Sequence, residues 1–177
     1  MFNIKIAAVL LLLVTIAACS RSAVNNQNQG ATSNTAGKPP RIASVDVVKA
    51  TPQQADIPAG GSADTTVDLK IQNGYHVNAN PPSYPYLKAT ELDIPSSSGI
   101  SVGFISYPTP IKKKFSFAEG TLAVYEGETT LRVRLKADKS AAPGTHNLAG
   151  KLRVQACDDQ VCYPPGTIDV AIPVTIK

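Results

Sequence analysis

From Ile168 to Ile176 every second residue is apolar and β-branched: Ile168, Val170, Ile172, Val174 and Ile176. A strand turns successive side chains to opposite faces, so this ladder builds one greasy face and one polar face. Val67, Leu69 and Ile71 alternate in the same way with Asp68, Lys70 and Gln72. Leu131, Val133 and Leu135 alternate with Arg132, Arg134 and Lys136. Further strands are predicted over residues 42–50, 87–94, 100–107 and 145–156. Clusters of Gly, Pro, Asn and Ser separate them, as at Pro58-Ala59-Gly60-Gly61, Asn80-Pro81-Pro82-Ser83 and Ala142-Pro143-Gly144. No stretch here carries a long helical period.

Many short strands with dense turn signals predict an all-β domain, an immunoglobulin-like antiparallel β-sandwich. The Cys-Trp-Cys pattern of antibody domains is absent, since the chain has no Trp. The sandwich is therefore read from patterning alone. Residues 41–177 have the length of one domain with its own core.

The N-terminus carries a different signal. One lysine, Lys5, precedes an apolar run from Ile6 to Ala18, and small residues close it. That is the layout of a secretory signal, and the run falls short of the roughly 20 residues that span a bilayer. Ile16-Ala17-Ala18-Cys19 resembles a bacterial lipobox, which predicts cleavage before Cys19 and lipid on that residue. Residues 1–18 are then a lipoprotein signal peptide and 19–40 a lipid-anchored flexible linker. Ser20 to Pro40 is rich in Asn, Gln, Ser, Thr, Gly and Ala, too polar to bury a core. Such a tether reaches roughly 25 Å as a random coil. Loss of Lys5 takes the formal charge from +4 to near +3, too mild to imply nucleic acid.

Cys157 and Cys162 are the only cysteines after Cys19. Two thiols this close in an exported chain can form one disulfide across a tight loop. One reading is a structural staple, although so short a loop contributes only about 2 kcal/mol. A metal site would need His76 and His146, which lack ligand spacing to the cysteines, and no metal or cofactor is expected. No nucleophile-base-acid set for a hydrolase is visible. The functional reading is a redox-active pair. Leu148, Gly150, Leu152, Val154 and Ala156 occupy the core parity, so Cys157 is expected to point off the core and meet an attacking thiolate. Asp158 and Asp159 are expected to raise a thiol pKa by like-charge repulsion. Which cysteine attacks stays open. Lys112-Lys113-Lys114 reads as a solvated strand edge.

The segment Gln155-Ala156-Cys157 through Cys162-Tyr163-Pro164-Pro165 closely resembles the cysteine loop of the N-terminal periplasmic domain of the DsbD thiol:disulfide interchange proteins. Gly74-Tyr75-His76 and Leu122-Ala123-Val124-Tyr125-Glu126-Gly127-Glu128 are also similar to that family. The resemblance spans roughly residues 42–177. It implies an immunoglobulin-like fold and a catalytic pair, Cys157 and Cys162. That pair would take electrons from a membrane-embedded donor and pass them to periplasmic thioredoxin-like proteins that repair disulfides or serve cytochrome c maturation. It further implies active-site neighbours at Tyr75, His76, Asn78 and Tyr163, and a cap loop carrying Phe115 or Phe117. Core packing is the other reading of both phenylalanines.

The chain departs from the family in three respects. His76 and Asn78 stand where the family has aromatics, and a His⁺ there would favour a thiolate. The cysteine spacing is one residue shorter than in well-known members. No transmembrane bundle and no thioredoxin-like Cys-x-x-Cys follows, so the donor is expected to be a separate membrane protein. The disulfide is expected to hold its Cα atoms about 4.4–6.8 Å apart. The expected location is the cell envelope, anchored through Cys19 and facing the periplasm. The competing reading is an immunoglobulin-like binding or scaffold lipoprotein with a structural disulfide.

Overall fold

The computed structural model describes residues 42–177; the predicted signal peptide 1–18, the predicted lipidation at Cys19 and the predicted linker 19–40 lie outside the described residues. The period-two ladders become long strands. In chain order the elements are a 3-10 helix (Ser44–Val47), β1 (Val48–Pro52), β2 (Ala55–Ile57), β3 (Ser62–Ile71), β4 (His76–Asn78), β5 (Glu91–Asp93), β6 (Ile100–Ser106), β7 (Ile111–Lys114), β8 (Thr121–Tyr125), β9 (Glu128–Ala137), β10 (Gly144–Val154), β11 (Ala156–Cys157) and β12 (Gly166–Ile176). Among the described residues there is no α-helix, and none long and apolar enough to cross a membrane.

The strands form three four-stranded sheets, β1-β3-β9-β6, β2-β12-β10-β5 and β11-β4-β8-β7. Pairings are antiparallel except for β2, which lies parallel to β12. The inward residues of the first two sheets merge into one core. Val67, Leu69, Leu131, Val133 and Leu135 meet Leu148, Leu152, Val170, Ile172 and Val174, all nearly or fully buried. The chain is thus an immunoglobulin-like β-sandwich. The third sheet straddles two cores. Val77, Tyr125 and Ala156 belong to the main one, whereas Leu122 and Val124 join Leu87 and Phe115 in a second, smaller cluster.

Two predicted strands are corrected. Residues 42–50 do not run as one strand, because Ser44–Val47 winds into a 3-10 turn closed by Asp46 N–H to Ala43 C=O at 2.9 Å. Its buried Ser44 ties two distant segments, donating to Pro164 C=O at 2.6 Å and accepting from Ala156 N–H at 3.0 Å. Of residues 87–94 only Glu91–Asp93 pairs, against β10. There Gly150 is required by close approach, since a Cβ would lie 2.9 Å from Asp93 O.

Candidate functional site

Gln155 breaks the regular run between β10 and β11, and the chain enters the small sheet. Ala156 pairs with Val77, and Cys157 pairs with His76. The chain then turns back through a tight hairpin. Asp158 N–H donates to Val161 C=O at 3.0 Å and Tyr163 N–H to Ala156 C=O at 2.8 Å. Between these bonds Cys157 and Cys162 face each other as a bridge pair. They are joined as a disulfide. Their Cα atoms are 3.9 Å apart, closer than the expected range. Residues directly opposed at a non-hydrogen-bonded position already make the closest cross-strand approach, about 4.5 Å, and this bridged pair lies closer still.

Asp158 organises the turn. Its Oδ1 accepts from Gln160 N–H and Val161 N–H, each at 2.8 Å. Its Oδ2 accepts from the Tyr163 hydroxyl at 2.5 Å. That last bond holds the Asp158 carboxyl below its ordinary value and pushes Tyr163 up to about 12. Sequence reasoning treated Asp158 only as a charge near the thiols. Its bonds make it the brace of the cysteine turn. Gln155, also missed, spans the same region: its Oε1 accepts from Lys88 N–H at 2.7 Å and Asn78 Nδ2 at 3.0 Å.

The expectation that Cys157 lies open is overturned: Cys157 is 0% exposed, and Cys162 is the partly exposed member of the pair. Parity does place Ala156 in the main core and Cys157 outside it. What parity cannot count is a second cover. His76 sits opposite Cys157, and its ring stacks on Phe115 with centroids 4.0 Å apart. Phe115 is 3% exposed and stacks in turn on Phe117, 38% exposed, at 5.4 Å.

Phe115 and Phe117 follow β7 in the β7–β8 hairpin, and two contacts fasten that hairpin to the cysteine turn. Ser116 Oγ donates to Asp159 C=O at 3.0 Å. Lys113 Nζ lies 2.8 Å from Glu126 Oε1 and 3.7 Å from Asp159 Oδ1. The lysine run is therefore not simply a solvated edge. Lys113 bridges, and Lys114 Nζ bonds the Ala118 and Glu119 carbonyls that close the hairpin.

The remaining neighbours flank this assembly. Tyr75 faces Tyr163 at 6.2 Å between centroids, beside an open cleft of about 380 Å³ that Tyr75, Lys113, Glu126 and Asp159 help to line. Gly74 adopts φ +86° in the turn that delivers β4, a conformation costly for other residues. Asn78 is buried and donates to Gln155 and Lys88. His146 stands apart at the start of β10, its Nε2 2.8 Å from Ala142 O. His76 is not a cation here. Burial lowers its pKa to about 4, outweighing the carboxylates of Glu126, Asp159 and Asp158. The expected thiolate-favouring His⁺ is thus a neutral imidazole at neutral pH.

A disulfide hairpin whose Cys157 pairs with His76, itself stacked on Phe115, coincides with a family match. The family model described as "Thiol:disulfide interchange protein DsbD, N-terminal" matches residues 44–173. The chain belongs to the DsbD N-terminal domain family. No curated protein sequence matches it. Among solved structures, the N-terminal periplasmic domain of ScsB from Proteus mirabilis is 18% identical, with a TM-score of 0.46, over 72% of this chain and 45% of that one. The chain thus spans less than half of that structure. A ScaB type I cohesin from Pseudobacteroides cellulosolvens is 10% identical, with a TM-score of 0.43, over 73% of this chain and 92% of that one.

Proposed function

We propose that this DsbD N-terminal domain is a lipid-anchored periplasmic thiol:disulfide interchange module that passes electrons through Cys157 and Cys162 to thioredoxin-like partners. The observation that carries the reading is the asymmetry of the pair. One sulfur belongs to a fully buried residue and the other to a partly exposed one, under a flap held by a few polar contacts. A staple has no use for such one-sided access, whereas exchange requires that a single sulfur be reachable.

In the reduced domain the Cys162 thiolate attacks one sulfur of a partner disulfide and expels the other as a thiolate. A mixed disulfide forms. Cys157 then attacks Cys162 Sγ, and the second partner sulfur leaves. The domain ends as the disulfide, and the partner as a dithiol, having gained two electrons. A separate membrane donor reverses the steps to recharge the domain. Phe115 and Phe117 keep small thiols away between encounters, Tyr75, His76, Asn78 and Tyr163 shape the surroundings, and lipid on Cys19 keeps the domain at the membrane.

The test is trapping in the cell envelope. Cys157→Ser leaves Cys162 able to attack and nothing to resolve the product, so it should accumulate a mixed disulfide with a thioredoxin-like protein. Cys162→Ser should trap far less. If neither variant traps a partner and the oxidised pair resists both glutathione and a thioredoxin-like protein, the domain is a scaffold with a structural disulfide.

A further inference from the structure

His76 is a polar residue that the assembly above buries without using. It is 1% exposed, and its Nε2 has no hydrogen-bond partner. Native structures rarely leave a buried ring nitrogen unpaired, and each exception asks for a reason. Its position supplies one. His76 is the register partner of Cys157 on adjacent antiparallel strands, which puts the two side chains on the same face with Cβ atoms typically ~5 Å apart. In the disulfide Cys157 has no proton to offer. On reduction it gains an S–H at that same place.

We propose that His76 is the proton acceptor for Cys157 in the resolving step of exchange. This rests on the interchange reading above. In the mixed disulfide the Cys157 S–H passes its proton to Nε2 as Sγ attacks Cys162 Sγ. The new Cys157–Cys162 bond forms and the Cys162–partner bond breaks. The departing sulfur carries the electron pair, and the imidazolium returns the proton to it or to water. A buried thiol needs such help, because apolar surroundings raise its pKa and leave little thiolate. A positioned base removes that dependence. The Phe115 ring stacked on the imidazole offers a π face to the transient cation.

The charges around His76 are few. Lys113 comes from β7, Glu126 follows β8, and Asp158 and Asp159 lie in the cysteine turn. Cys157 itself is the titratable neighbour on β11. Burial dominates these and keeps the ring unprotonated near neutrality; the thiolate formed beside it as the proton moves is the opposite charge that offsets the cost of burying the imidazolium.

The reaction of chemically reduced protein with an aromatic disulfide, 5,5′-dithiobis(2-nitrobenzoate), isolates this step. Cys162 releases the first thionitrobenzoate; Cys157 releases the second. That leaving group needs no proton, so the second phase reports proton loss at Cys157 alone. From about pH 5.5 to about pH 7.5 the second phase of the wild-type domain should change less than about threefold. His76→Phe keeps an aromatic ring against Phe115. Its second phase should rise about tenfold per pH unit, following the thiolate fraction. A wild-type rate that itself climbs tenfold per unit, or a shared pH profile in the two proteins, overturns the proposal. The wild-type slope decides even if the variant does not fold. Because the experiment starts from reduced protein, it is independent of whether cellular partners recognise the disulfide, which the trapping experiment decides.

Discussion

Asp158 sets the shape of the cysteine turn by accepting two backbone N–H groups and one phenol. Replacing it with Ala removes these bonds from a partly buried turn, which should cost about 1–2 kcal/mol in denaturant unfolding at pH 7. The charged part of that loss has a definite pH window. The folded-state pKa of Asp158 is lowered from 3.8, so its contribution is present above 3.8 and is lost as pH falls through the lowered value. The gap between wild type and Asp158→Ala should therefore narrow in acid. Tyr163 shifts the opposite way. Its contribution is present below its ordinary value of 10.0 and is lost as pH rises through about 12. Ultraviolet titration should find Tyr163 and the buried Tyr125 ionising late, and Asp158→Ala should bring down Tyr163 alone.

On the proposed reading the β7–β8 hairpin is the element that governs access to the disulfide. Phe115 is its buried anchor, against His76 and the second cluster of Leu87, Leu122 and Val124. Phe117 lies outermost. Phe115→Ala should speed reduction of the disulfide by a small thiol by about tenfold or more, because it removes the packing that seats the flap. Phe117→Ala should speed it less. Equal and unchanged rates in both variants would mean that the hairpin does not guard the pair. Ser116→Ala and Asp159→Asn loosen the exposed fastening without touching the cluster, and exposed contacts of this kind contribute about 1 kcal/mol or less. Their effect on reduction should be a few-fold, and that of Asp159→Asn should shrink in high salt.

Across the whole molecule the sandwich core outweighs the disulfide. A loop as short as that between Cys157 and Cys162 constrains the unfolded chain by about 2 kcal/mol. Leu135→Ala, in a fully buried position on β9, should cost about 2–5 kcal/mol. The reduced domain should thus keep its strand-dominated circular dichroism and lose only a few degrees of melting temperature. Leu135→Ala should lose at least as much with the disulfide intact. Collapse of the fold on reduction would assign the bond a structural role. Carriers need the opposite, because the same fold must persist in both redox states.

The long strands were legible in the chain because one of their faces is wet. In β3, β9, β10 and β12 buried and exposed residues alternate, and the sequence repeats that alternation residue by residue. The cysteine pair was legible too, since no other cysteines in the folded part compete for pairing. The sheet that carries the site was not. All three residues of β4 and both of β11 are buried, so they present no period, and β7 and β8 are short and uneven. Sequence parity correctly took Cys157 off the main core but had no means of seeing that the residue is fully buried all the same, with His76 paired opposite it. Phe115 meets His76 across a gap of many residues in the chain, and Ser116 and Lys113 meet Asp159 in the same way. Local patterning reports whether one face of a segment is apolar; whether the other face is covered, and hence which sulfur a partner can reach, is decided only when distant segments pack together.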